Sequence, residues 1–417
     1  MDSVLYIVGF DTTQNDQSLL RSVLKKSEII VASKRLYEEL EKLNMLDTLP
    51  SLIPVVPLAK SIESIRKSLK IGDVTVLASG DPLFFGIGRK LTQSFPDQKI
   101  VIYPVLSSMQ QAFARFNIPW DDTSFVSLHG RSNKALAARL LTHSKTFILT
   151  DPINSPNSIA RKLLAECGEK AISGFKIYVA EHLGFDSERL FSGNLTQIAS
   201  QEFADPNVMI FTNHEPDKLT YPHFGLQEHE ICHSRGLLTK NEVRAAAIHA
   251  LRLPQKGVLW DVGAGSGSVG LEAARLFPEL QVLSIEKKGE QWQNIVDNKQ
   301  KFAVWNMKLI QGEAPDILQQ LDNPDRVFIG GSGGNLKEII KYCAEKLLKH
   351  GIVVVNAVIS KTAKIAPEVL HTLGFDVEIR EIAVQRSSYP KGEIEKFNPI
   401  KIIVGQKKSQ QESGNEQ

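Results

Sequence analysis

Cysteine, long apolar runs and net charge are all scarce in this 417-residue chain. Three cysteines, widely spaced and matching no metal motif, argue against a disulfide framework and indicate reduced thiols in the cytoplasm. No apolar run reaches the length of a transmembrane helix, and the N-terminus lacks the basic region of a secretory signal. The formal net charge is only +2, so the overall charge indicates neither nucleic acid nor a membrane surface as a partner.

The length is sufficient for two domains, each with its own core. Short apolar runs alternate with helical periodicity on both sides of a polar, proline-containing stretch, which is typical of α/β domains. We therefore predict a first domain over residues 1–213, a linker over 214–233, a second domain over 234–406 and a disordered tail over 407–417.

The predicted linker is rich in potential metal ligands, namely His214, His223, His229, Cys232 and His233. Their spacing matches no familiar metal site, and histidines are ordinary residues of linkers. We therefore predict no bound metal there.

Fifteen short apolar runs are strand candidates. In the first domain they are Val4–Val8, Ile29–Ala32, Val74–Ala78, Ile100–Tyr103, Phe125–Leu128, Thr146–Leu149, Ile177–Ala180 and Val208–Phe211. In the second they are Val258–Trp260, Val282–Glu286, Lys308–Ile310, Arg326–Ile329, Ile352–Val355, Phe375–Val384 and Ile400–Val404. Strands that alternate with helices imply a parallel sheet, with a ligand over the carboxyl ends of its strands. Thr239 and Glu242 predict a capping box and a helix that runs to about Leu251.

The stretch from Val258 to Gly270 carries the strongest ligand motif. An apolar strand ends in three alternate glycines, Gly263, Gly265 and Gly267, and a helix follows. Glycine is required there because the turn visits positive φ and because a Cβ would hold a nucleotide-like ligand away from the backbone. The spacing of Gly265, Gly267 and Gly270 also fits a dinucleotide fingerprint, so an NAD-dependent oxidoreductase is an alternative.

Three further features bear on the choice between these alternatives. Asp261 precedes the first glycine, where it would attract the amino group of a methionine-type ligand and repel a pyrophosphate. Glu286 ends the next strand, where a carboxylate accepts ribose hydroxyls of either cofactor. Glu313 and Ala314 follow a third strand, at the place where an adenine is usually held. This combination favours S-adenosylmethionine.

Polar loops also follow strands of the first domain. Ser79, Gly80 and Asp81 predict either contact with a ligand or a plain turn in which Asp81 caps the next helix. Ser107 and Ser108 predict the N-cap of a further helix.

A third loop of this domain contains His129 and Arg131. Arg131 is a candidate for binding a carboxylate, and His129 is a candidate proton carrier. A lone histidine after a strand is more often structural than catalytic.

The loops of both domains resemble those of known families. In the first domain, the tetrapyrrole methylases of cobalamin synthesis that methylate C5 are matched by Leu77–Gly88, Ser107–Ser108, Ser127–Arg131, Leu149–Asp151 and Glu181–Gly184. In the second, the decarboxylating C15-methyltransferases are matched by Leu238–Arg244, Trp260–Val269, Gly312–Pro315, Asp325–Gly334 and Val355–Val358. Together the halves resemble the fused precorrin-6Y C5,15-methyltransferases (decarboxylating) over nearly the whole chain.

The resemblance implies an α/β chain of two domains, a tetrapyrrole-methylase fold followed by a Rossmann-like class I methyltransferase with a seven-stranded, mainly parallel sheet. It implies one S-adenosylmethionine site per domain, a corrinoid substrate, a homo-oligomer, and cobalt, if any, held only inside the substrate ring. The implied reaction is methylation at C5 and C15 with loss of the C12 acetate carboxyl.

The resemblance also implies roles for individual residues. The implied cofactor contacts are Ser79, Gly80, Asp81, Phe84, Ser107, Ser108, Thr150, Glu181, Thr239, Asp261, Gly263, Gly265, Gly267, Glu286, Glu313, Ala314, Gly330 and Gly331. The candidates for catalysis or substrate contact are His129, Arg131, Asn356 and Lys361.

Four positions depart from the family pattern. The stretch from Gly9 to Thr13 replaces a glycine–proline-rich loop, and Val105 replaces a glycine, so both bear on the first cofactor pocket. Glu313 replaces the more usual Asp, and Ile359–Lys361 replaces a Thr-Leu-Glu-like run near the substrate.

An RNA methyltransferase would share the second fold, but low net charge and the lack of basic–aromatic patches argue against it. A non-catalytic binding module would leave two ligand loops unexplained.

Overall fold

The computed structural model describes residues 3–10, 17–128, 136–168, 174–213, 222–234 and 238–407. Among the predicted features, His129, Arg131, His214, residues 11–13 and residues 408–417 lie outside this range. The chain divides into two compact units, one of residues 1–131, 145–161 and 175–212 and one of residues 132–144, 162–174 and 213–417. The finer domain boundaries stay predictions. No helix in the described ranges is both long and apolar enough to cross a membrane.

The described residues up to 213 form ten strands and eight helices. The strands are β1 (Leu5–Phe10), β2 (Ser27–Ala32), β3 (Ser51–Pro54), β4 (Asp73–Ser79), β5 (Ile100–Tyr103), β6 (Ser124–Ser127), β7 (Lys145–Leu149), β8 (Phe175–Glu181), β9 (Arg189–Gly193) and β10 (Asn207–Asn213). The helices are α1 (Ser18–Leu24), α2 (Lys34–Lys42), α3 (Leu58–Ser68), α4 (Gly88–Ser94), α5 (Ser108–Phe116), α6 (Leu136–Thr142), α7 (Pro156–Cys167) and α8 (Leu195–Ala199).

Two five-stranded sheets organise this half of the chain. The first has the order β3-β2-β4-β1-β5, and each neighbouring pair in it is parallel. The second has the order β6-β7-β10-β8-β9 and is mixed. Alternate residues of β1 enter the cores on opposite faces of the first sheet, with Leu5 and Ile7 on one face and Val8 and Phe10 on the other. A parallel strand buried on both faces reads as a continuous apolar run, and this is why β1 is visible in the sequence.

The second half forms a larger sheet. Its strands are β11 (Lys256–Val262), β12 (Glu279–Glu286), β13 (Met307–Gln311), β14 (Arg326–Ile329), β15 (Ile352–Ala357), β16 (Phe375–Ile382), β17 (Gln385–Ser387), β18 (Ile394–Lys396) and β19 (Ile400–Lys407). Its helices are α9 (Asn241–Leu251), α10 (Ser268–Leu276), α11 (Gly289–Lys301), α12 (Leu336–Lys346) and α13 (Ser360–Thr372).

The order of the seven-stranded sheet is β13-β12-β11-β14-β15-β19-β16. The first five strands are parallel, while β19 pairs antiparallel with both β15 and β16. This confirms the predicted seven-stranded, mainly parallel sheet. The glycine loop follows β11, the middle one of the five parallel strands, so its position over the carboxyl ends of the strands is set by the topology.

The predicted capping box at the start of α9 is wrong. The helix begins at Asn241, and its N-cap residue Lys240 makes no side-chain capping bond. The Glu242 carboxylate is instead hydrogen-bonded by Arg386, at 2.9 and 2.8 Å. A guanidinium that binds both carboxylate oxygens outcompetes a neutral backbone amide. The predicted end of the helix at Leu251 is confirmed.

Part of the predicted linker packs into the core of the second unit. Leu226 is 0% exposed and Ile231 is 2% exposed, and both join the cluster around α9 and α10. The N–H of Leu226 donates to Glu272 at 2.8 Å. At the other end, Lys407 belongs to β19 and not to the tail, and its ammonium donates to carbonyls at the end of α12.

Candidate functional site

A cavity of about 570 Å³ lies over the carboxyl ends of the central strands of the seven-stranded sheet. Its lining comes from the glycine loop after β11, the ends of β12 and β13, the loop after β14, the end of β15 and the residues before β19. Pockets of this size hold cofactor-sized organic molecules.

The glycine loop has the backbone conformation that its sequence predicts. Gly263, Gly265 and Gly267 have φ values of +66°, +57° and +75°, which only glycine adopts without strain. A Cβ on Gly263 would overlap the carbonyl oxygen of Gly331 in the loop after β14. Gly267 is the N-cap of α10, so the N-terminus of that helix faces the cavity end of the loop.

Glu286, the last residue of β12, organises this end of the cavity. One carboxylate oxygen accepts the N–H of Gly265 at 2.8 Å, and the other accepts the N–H of Lys288 at 2.8 Å. The residue lines the cavity but is only 6% exposed. Each carboxylate oxygen has a second lone pair, so the same group is also able to accept ligand hydroxyls.

Asp261 lies beneath the glycine loop. It is 1% exposed, does not belong to the lining of the described cavity, and accepts the N–H of Gly270 at 3.1 Å through Oδ2. Its Oδ1 has no hydrogen-bond partner among the described residues. Burial raises the pKa of this carboxyl to about 7, and the negative charge of Glu286 adds to the rise while the Gly270 N–H opposes it. A cation above the loop would favour the ionised form.

The predicted adenine position lies at the edge of the cavity. Glu313 and Ala314 both line it, and Ala314 is 8% exposed. The Lys287 ammonium donates to Glu313 Oε1 at 2.8 Å, so part of the carboxylate is already paired. Gly312 donates its N–H to the Glu286 carbonyl at 3.1 Å, which fixes this loop against β12.

The opposite end of the cavity lies at β15 and β19. Asn356 lines it and is 7% exposed, and its Oδ1 has no hydrogen-bond partner among the described residues. Lys361 lies in the first turn of α13, exposed and outside the cavity lining. Gly330 and Gly331 line the cavity between these ends, and Gly330 is bonded to the Val262 carbonyl at 2.9 Å.

Sequence reasoning assigned no role to several lining residues. Phe397, Asn398 and Pro399 follow the short strand β18 in an exposed, polar stretch that offers no ligand motif. By contrast, Thr239, an implied cofactor contact, lines the cavity beside Lys240, and its carbonyl accepts from Arg244 at 3.0 Å.

In the first sheet, the carboxyl ends of β1 and β4 meet the loop after β5. A Cβ on Gly9 would overlap the Gly80 carbonyl and would lie 2.8 Å from the Val105 nitrogen. Gly80 has a φ of +68°, and its own Cβ position is 3.4 Å from the Ser107 Cα. The predicted residues Gly80 and Ser107 are therefore neighbours at one edge of the sheet.

Local hydrogen bonds show which turns and helix caps these loops form, while the predicted ligand contacts stay predictions. Asp81 accepts the N–H of Leu83 at 2.8 Å, so it stabilises a turn. The helix cap predicted for Asp81 is wrong, because α4 begins at Gly88 without a side-chain cap. The N-cap role of Ser107 is confirmed by a capping box with Gln110, and Ser108 is the first residue of α5.

The other predicted contacts of this half are already engaged within the protein. The ring centroid of Phe84 lies 5.6 Å from that of Phe125. Thr150 donates to Asn207 Oδ1 at 2.7 Å, and Glu181, 3% exposed, binds Arg189 Nε at 2.5 Å. Their cofactor roles, and that of the exposed Ser79, stay predictions.

No cluster of three or more His, Cys, Asp or Glu with the arrangement of a metal site occurs in the described ranges.

Two families match the two halves of the chain. The tetrapyrrole (corrin/porphyrin) methylases match residues 17–199, so this match begins after β1. The precorrin methyltransferase domain matches residues 230–408, which span the seven-stranded sheet.

Two individual proteins match over most of the chain, and a solved structure matches a part of it. The precorrin-6Y C(5,15)-methyltransferase [decarboxylating] of Sinorhizobium sp is 34% identical over 311 residues, covering 72% of this chain and 72% of that protein. The protein of the same description from Mycobacterium tuberculosis is 28% identical over 354 residues, covering 84% and 86%. The crystal structure of a precorrin-6Y C5,15-methyltransferase from Geobacter metallireducens matches 45% of this chain and 100% of its own, with 39% identity and a TM-score of 0.44. The chain belongs to the family of precorrin-6Y C5,15-methyltransferases (decarboxylating).

Proposed function

We propose that this chain methylates a reduced corrin precursor of the precorrin-6Y type at C5 and C15, with loss of the C12 acetate carboxyl, in cobalamin biosynthesis. The methyl donor is S-adenosylmethionine, as the two methyltransferase families imply. One cofactor site in each domain belongs to the proposal. The single observation that carries it is the cavity in which the glycine loop, Glu286 and the loop after β14 converge.

The residues of this cavity fit S-adenosylmethionine. Three positive-φ glycines form the loop that borders the cavity, and Glu286 offers acceptors for ribose hydroxyls. Ser266 lines the cavity with a buried hydroxyl that has no hydrogen-bond partner in the described structure. Asp261 places a carboxyl under the loop, where a cationic amino group would favour its ionised form.

S-adenosylmethionine supplies a methyl group activated on a sulfonium. The nucleophile is an enamine-like ring carbon that needs little base catalysis, so the main task of the protein is in-line positioning. Gly330 and Gly331 leave space beside the position of the transferred group, since neither carries a side chain. Glu286 and the glycine loop hold the other end of the cofactor in this arrangement.

Loss of the C12 acetate carboxyl breaks a carbon–carbon bond, and the electron pair moves into the macrocycle. A proton then takes the place of CO2, which leaves a methyl group at C12. Asn356 lies at the β15 end of the cavity with a buried, unpartnered acceptor, and we assign to it a hydrogen bond from the substrate. Lys361 lies outside the cavity on α13, where it would meet only a peripheral carboxylate of a large substrate.

The C5 transfer is assigned to the first domain. Support comes from the family match over residues 17–199 and from the convergence of Gly9, Gly80 and Ser107 at one edge of the first sheet. Val105 approaches the Gly9 Cβ position to within 2.9 Å, so its side chain narrows this edge. We expect the first site to bind cofactor more weakly than the second for this reason.

Titration calorimetry with S-adenosylhomocysteine on the full chain tests the number of sites. Two sites are expected. Gly265→Val should remove one of them and Gly80→Val the other, because both glycines have positive φ and border the two proposed pockets. A single site lost only in Gly265→Val would overturn the assignment of a cofactor to the first domain. Binding of NADH in place of S-adenosylhomocysteine would overturn the proposal itself.

The reaction is tested with a precorrin-6Y-type substrate and S-adenosylmethionine. We expect two methyl groups added per substrate molecule and one CO2 released. A salt-sensitive shift in the electrophoretic mobility of RNA, with no methyl transfer to the corrinoid, would favour the RNA methyltransferase alternative.

Assembly into a homo-oligomer and a cytoplasmic location complete the proposal. Light scattering tests the first, and cell fractionation tests the second.

A further inference from the structure

The cavity of the second domain extends across the sheet in a defined direction. Glu286 ends β12, and Ala314 lies in the loop after β13. Both strands are on one side of β11 in the sheet. Asn356 and Phe397 lie at β15 and before β19, on the other side. If the cofactor occupies the glycine-loop side, as in the proposed function on which this inference rests, the β15–β19 side is left for the methyl-accepting substrate.

A short hairpin precedes the residues that form this substrate side. β17 and β18 pair antiparallel, with Arg386 opposite Glu395. Gln385 lies opposite Lys396, and one position further the Phe397 N–H donates to the Val384 carbonyl at 3.0 Å. Phe397 is two residues beyond Glu395, so its side chain lies on the same face of the hairpin as that of Arg386. The position of Phe397 is therefore coupled to that of Arg386.

A two-stranded hairpin is at best marginally stable by itself, so it needs anchoring to the rest of the domain. Arg386 supplies such an anchor. Its Nε donates to Glu242 Oε1 at 2.9 Å, and its Nη2 donates to Glu242 Oε2 at 2.8 Å and to Glu228 Oε1 at 2.6 Å. These carboxylates lie in the first turn of α9 and in the segment before it. One guanidinium thus joins three segments that are distant in sequence.

Phe397 lies against two cations of this network. The Arg386 guanidinium carbon is 4.9 Å from the ring centroid, and the Lys240 ammonium is 5.0 Å from it. Lys240 also donates to Glu228 Oε2 at 2.6 Å, so the same carboxylate holds both cations. Hydrogen bonds from Arg386 lower the pKa of Glu242, and those from Lys240 and Arg386 lower the pKa of Glu228 despite its partial burial. The Phe397 ring therefore packs against two cations that are themselves held by carboxylates.

We propose that Arg386 is a positioning residue for the C15 reaction, which holds Phe397 and the following Asn398 and Pro399 as the substrate wall of the cavity. Arg386 is not itself in the lining of the described cavity, whereas all three wall residues are. Its loss should therefore impair use of the corrinoid more than cofactor binding. Among the described residues Glu286 and the glycine loop make no hydrogen bond or ion pair to this network, and only the implied cofactor contact Thr239 adjoins it, through Lys240.

Arg386→Gln and a matched control, Arg380→Gln, test this in the full chain. Arg380 lies on β16 and binds both oxygens of Glu378 at 2.8 Å, a comparable ion pair of a half-buried arginine that is not part of the cavity lining. In Arg386→Gln we expect the Kd for S-adenosylhomocysteine at the second site to change less than about twofold. We expect kcat/KM for C15 methylation to fall about 10- to 100-fold, as for a reactant displaced by about 1 Å.

The two readouts separate a positioning role from a structural one. Arg386→Lys should regain part of the rate, because a lysine keeps one ion pair but lacks the planar fork. Arg380→Gln should match the wild type in both measurements. Equal loss of cofactor affinity and rate in Arg386→Gln, or a rate equal to that of Arg380→Gln, would overturn the inference. Failure of the wild-type chain to bind cofactor or methylate at C15 would instead overturn the proposed function.

Discussion

The carboxylate of Glu286 accepts the backbone N–H of Gly265 at 2.8 Å, and so ties the end of β12 to the glycine loop after β11. The other oxygen of the same carboxylate accepts the N–H of Lys288, immediately before α11. One side chain therefore sets the loop conformation and also faces the cavity. Changes at Glu286 should affect the cofactor site directly, with little effect on the rest of the sheet.

Glu286→Gln tests this relationship. The amide keeps one acceptor but turns an N–H group toward one of the two backbone donors, so a charge-assisted bond is lost. We expect the Kd for S-adenosylhomocysteine to rise about 10- to 100-fold, which corresponds to the loss of one hydrogen bond to a charged group. Calorimetry on the full chain gives the number. Glu368→Gln, at an exposed position of α13, is the control and should bind like the wild type. Wild-type affinity in Glu286→Gln would contradict the assigned role.

Gly263→Ala separates backbone strain from close packing. The residue has a φ of +66°, and an added Cβ would overlap the carbonyl oxygen of Gly331. Gly374 offers a matched control, since its φ is +81° and no atom lies within 4 Å of its Cβ position. Gly374→Ala should cost about 1–2 kcal/mol in the free energy of unfolding, from the left-handed conformation alone. Gly263→Ala should cost more and should also abolish cofactor binding at the second site. Equal destabilisation by both substitutions, with binding retained, would show that the two loops need not approach so closely.

The sequence was most informative where a strand is buried on both faces. β11 carries Leu259 and Trp260, both 0% exposed, in an unbroken apolar run, and its position and that of the glycine loop were predicted. β9 and the pair β17 and β18 escaped prediction, because they are short and mostly exposed and so carry no apolar pattern. β3 escaped because it ends in Pro54 and is at most half-buried.

The site was predictable where backbone conformation demands glycine and less so where distant side chains meet. Glu242 has the spacing of a capping residue, yet it binds Arg386, which is 144 residues away in the chain. Asp261 lies beneath the loop and accepts the N–H of Gly270 in α10, while its contact with a ligand amino group stays a prediction. Neither outcome follows from local sequence, because each depends on how separate segments pack.

A buried ion pair anchors Leu226, a residue of the predicted linker, to the core of the second unit. Arg244 is 2% exposed and lies 3.4 Å from Glu272, which is 0% exposed, and Arg244 also donates to the Leu226 carbonyl. Burial lowers the pKa of Arg244, and the charge of Glu272 opposes that change. Arg244→Met should destabilise the protein by about 3–5 kcal/mol, because it leaves a buried carboxylate short of a partner.

A second substitution distinguishes this cause from lost packing. Glu272→Gln in the Arg244→Met background should recover part of the stability, since the unpaired charge is then removed. Arg252→Met, at the exposed end of α9, should change the free energy of unfolding by about 0.5 kcal/mol or less. Denaturant unfolding of the four proteins supplies the comparison. A double variant less stable than Arg244→Met would show that charge compensation is not the dominant effect.

Asp261 should make stability depend on pH in a direction opposite to that of most carboxylates. Its pKa is raised by burial from 3.8 to about 7, so the folded protein binds a proton that the unfolded chain releases between about pH 4 and pH 7. The stability associated with the protonated group is therefore complete below about pH 4 and is lost as the pH rises through about 7. Over that window Asp261→Asn should gain stability relative to the wild type, by up to about 4 kcal/mol. Asp325→Asn is the control for the charge on the hydrogen bond that Asp261 accepts from the Gly270 N–H, because the Asp325 carboxylate accepts a similar bond from the Val258 N–H. A stability difference between Asp261→Asn and wild type that stays constant from about pH 4 to pH 8 would show that this carboxyl is ionised throughout.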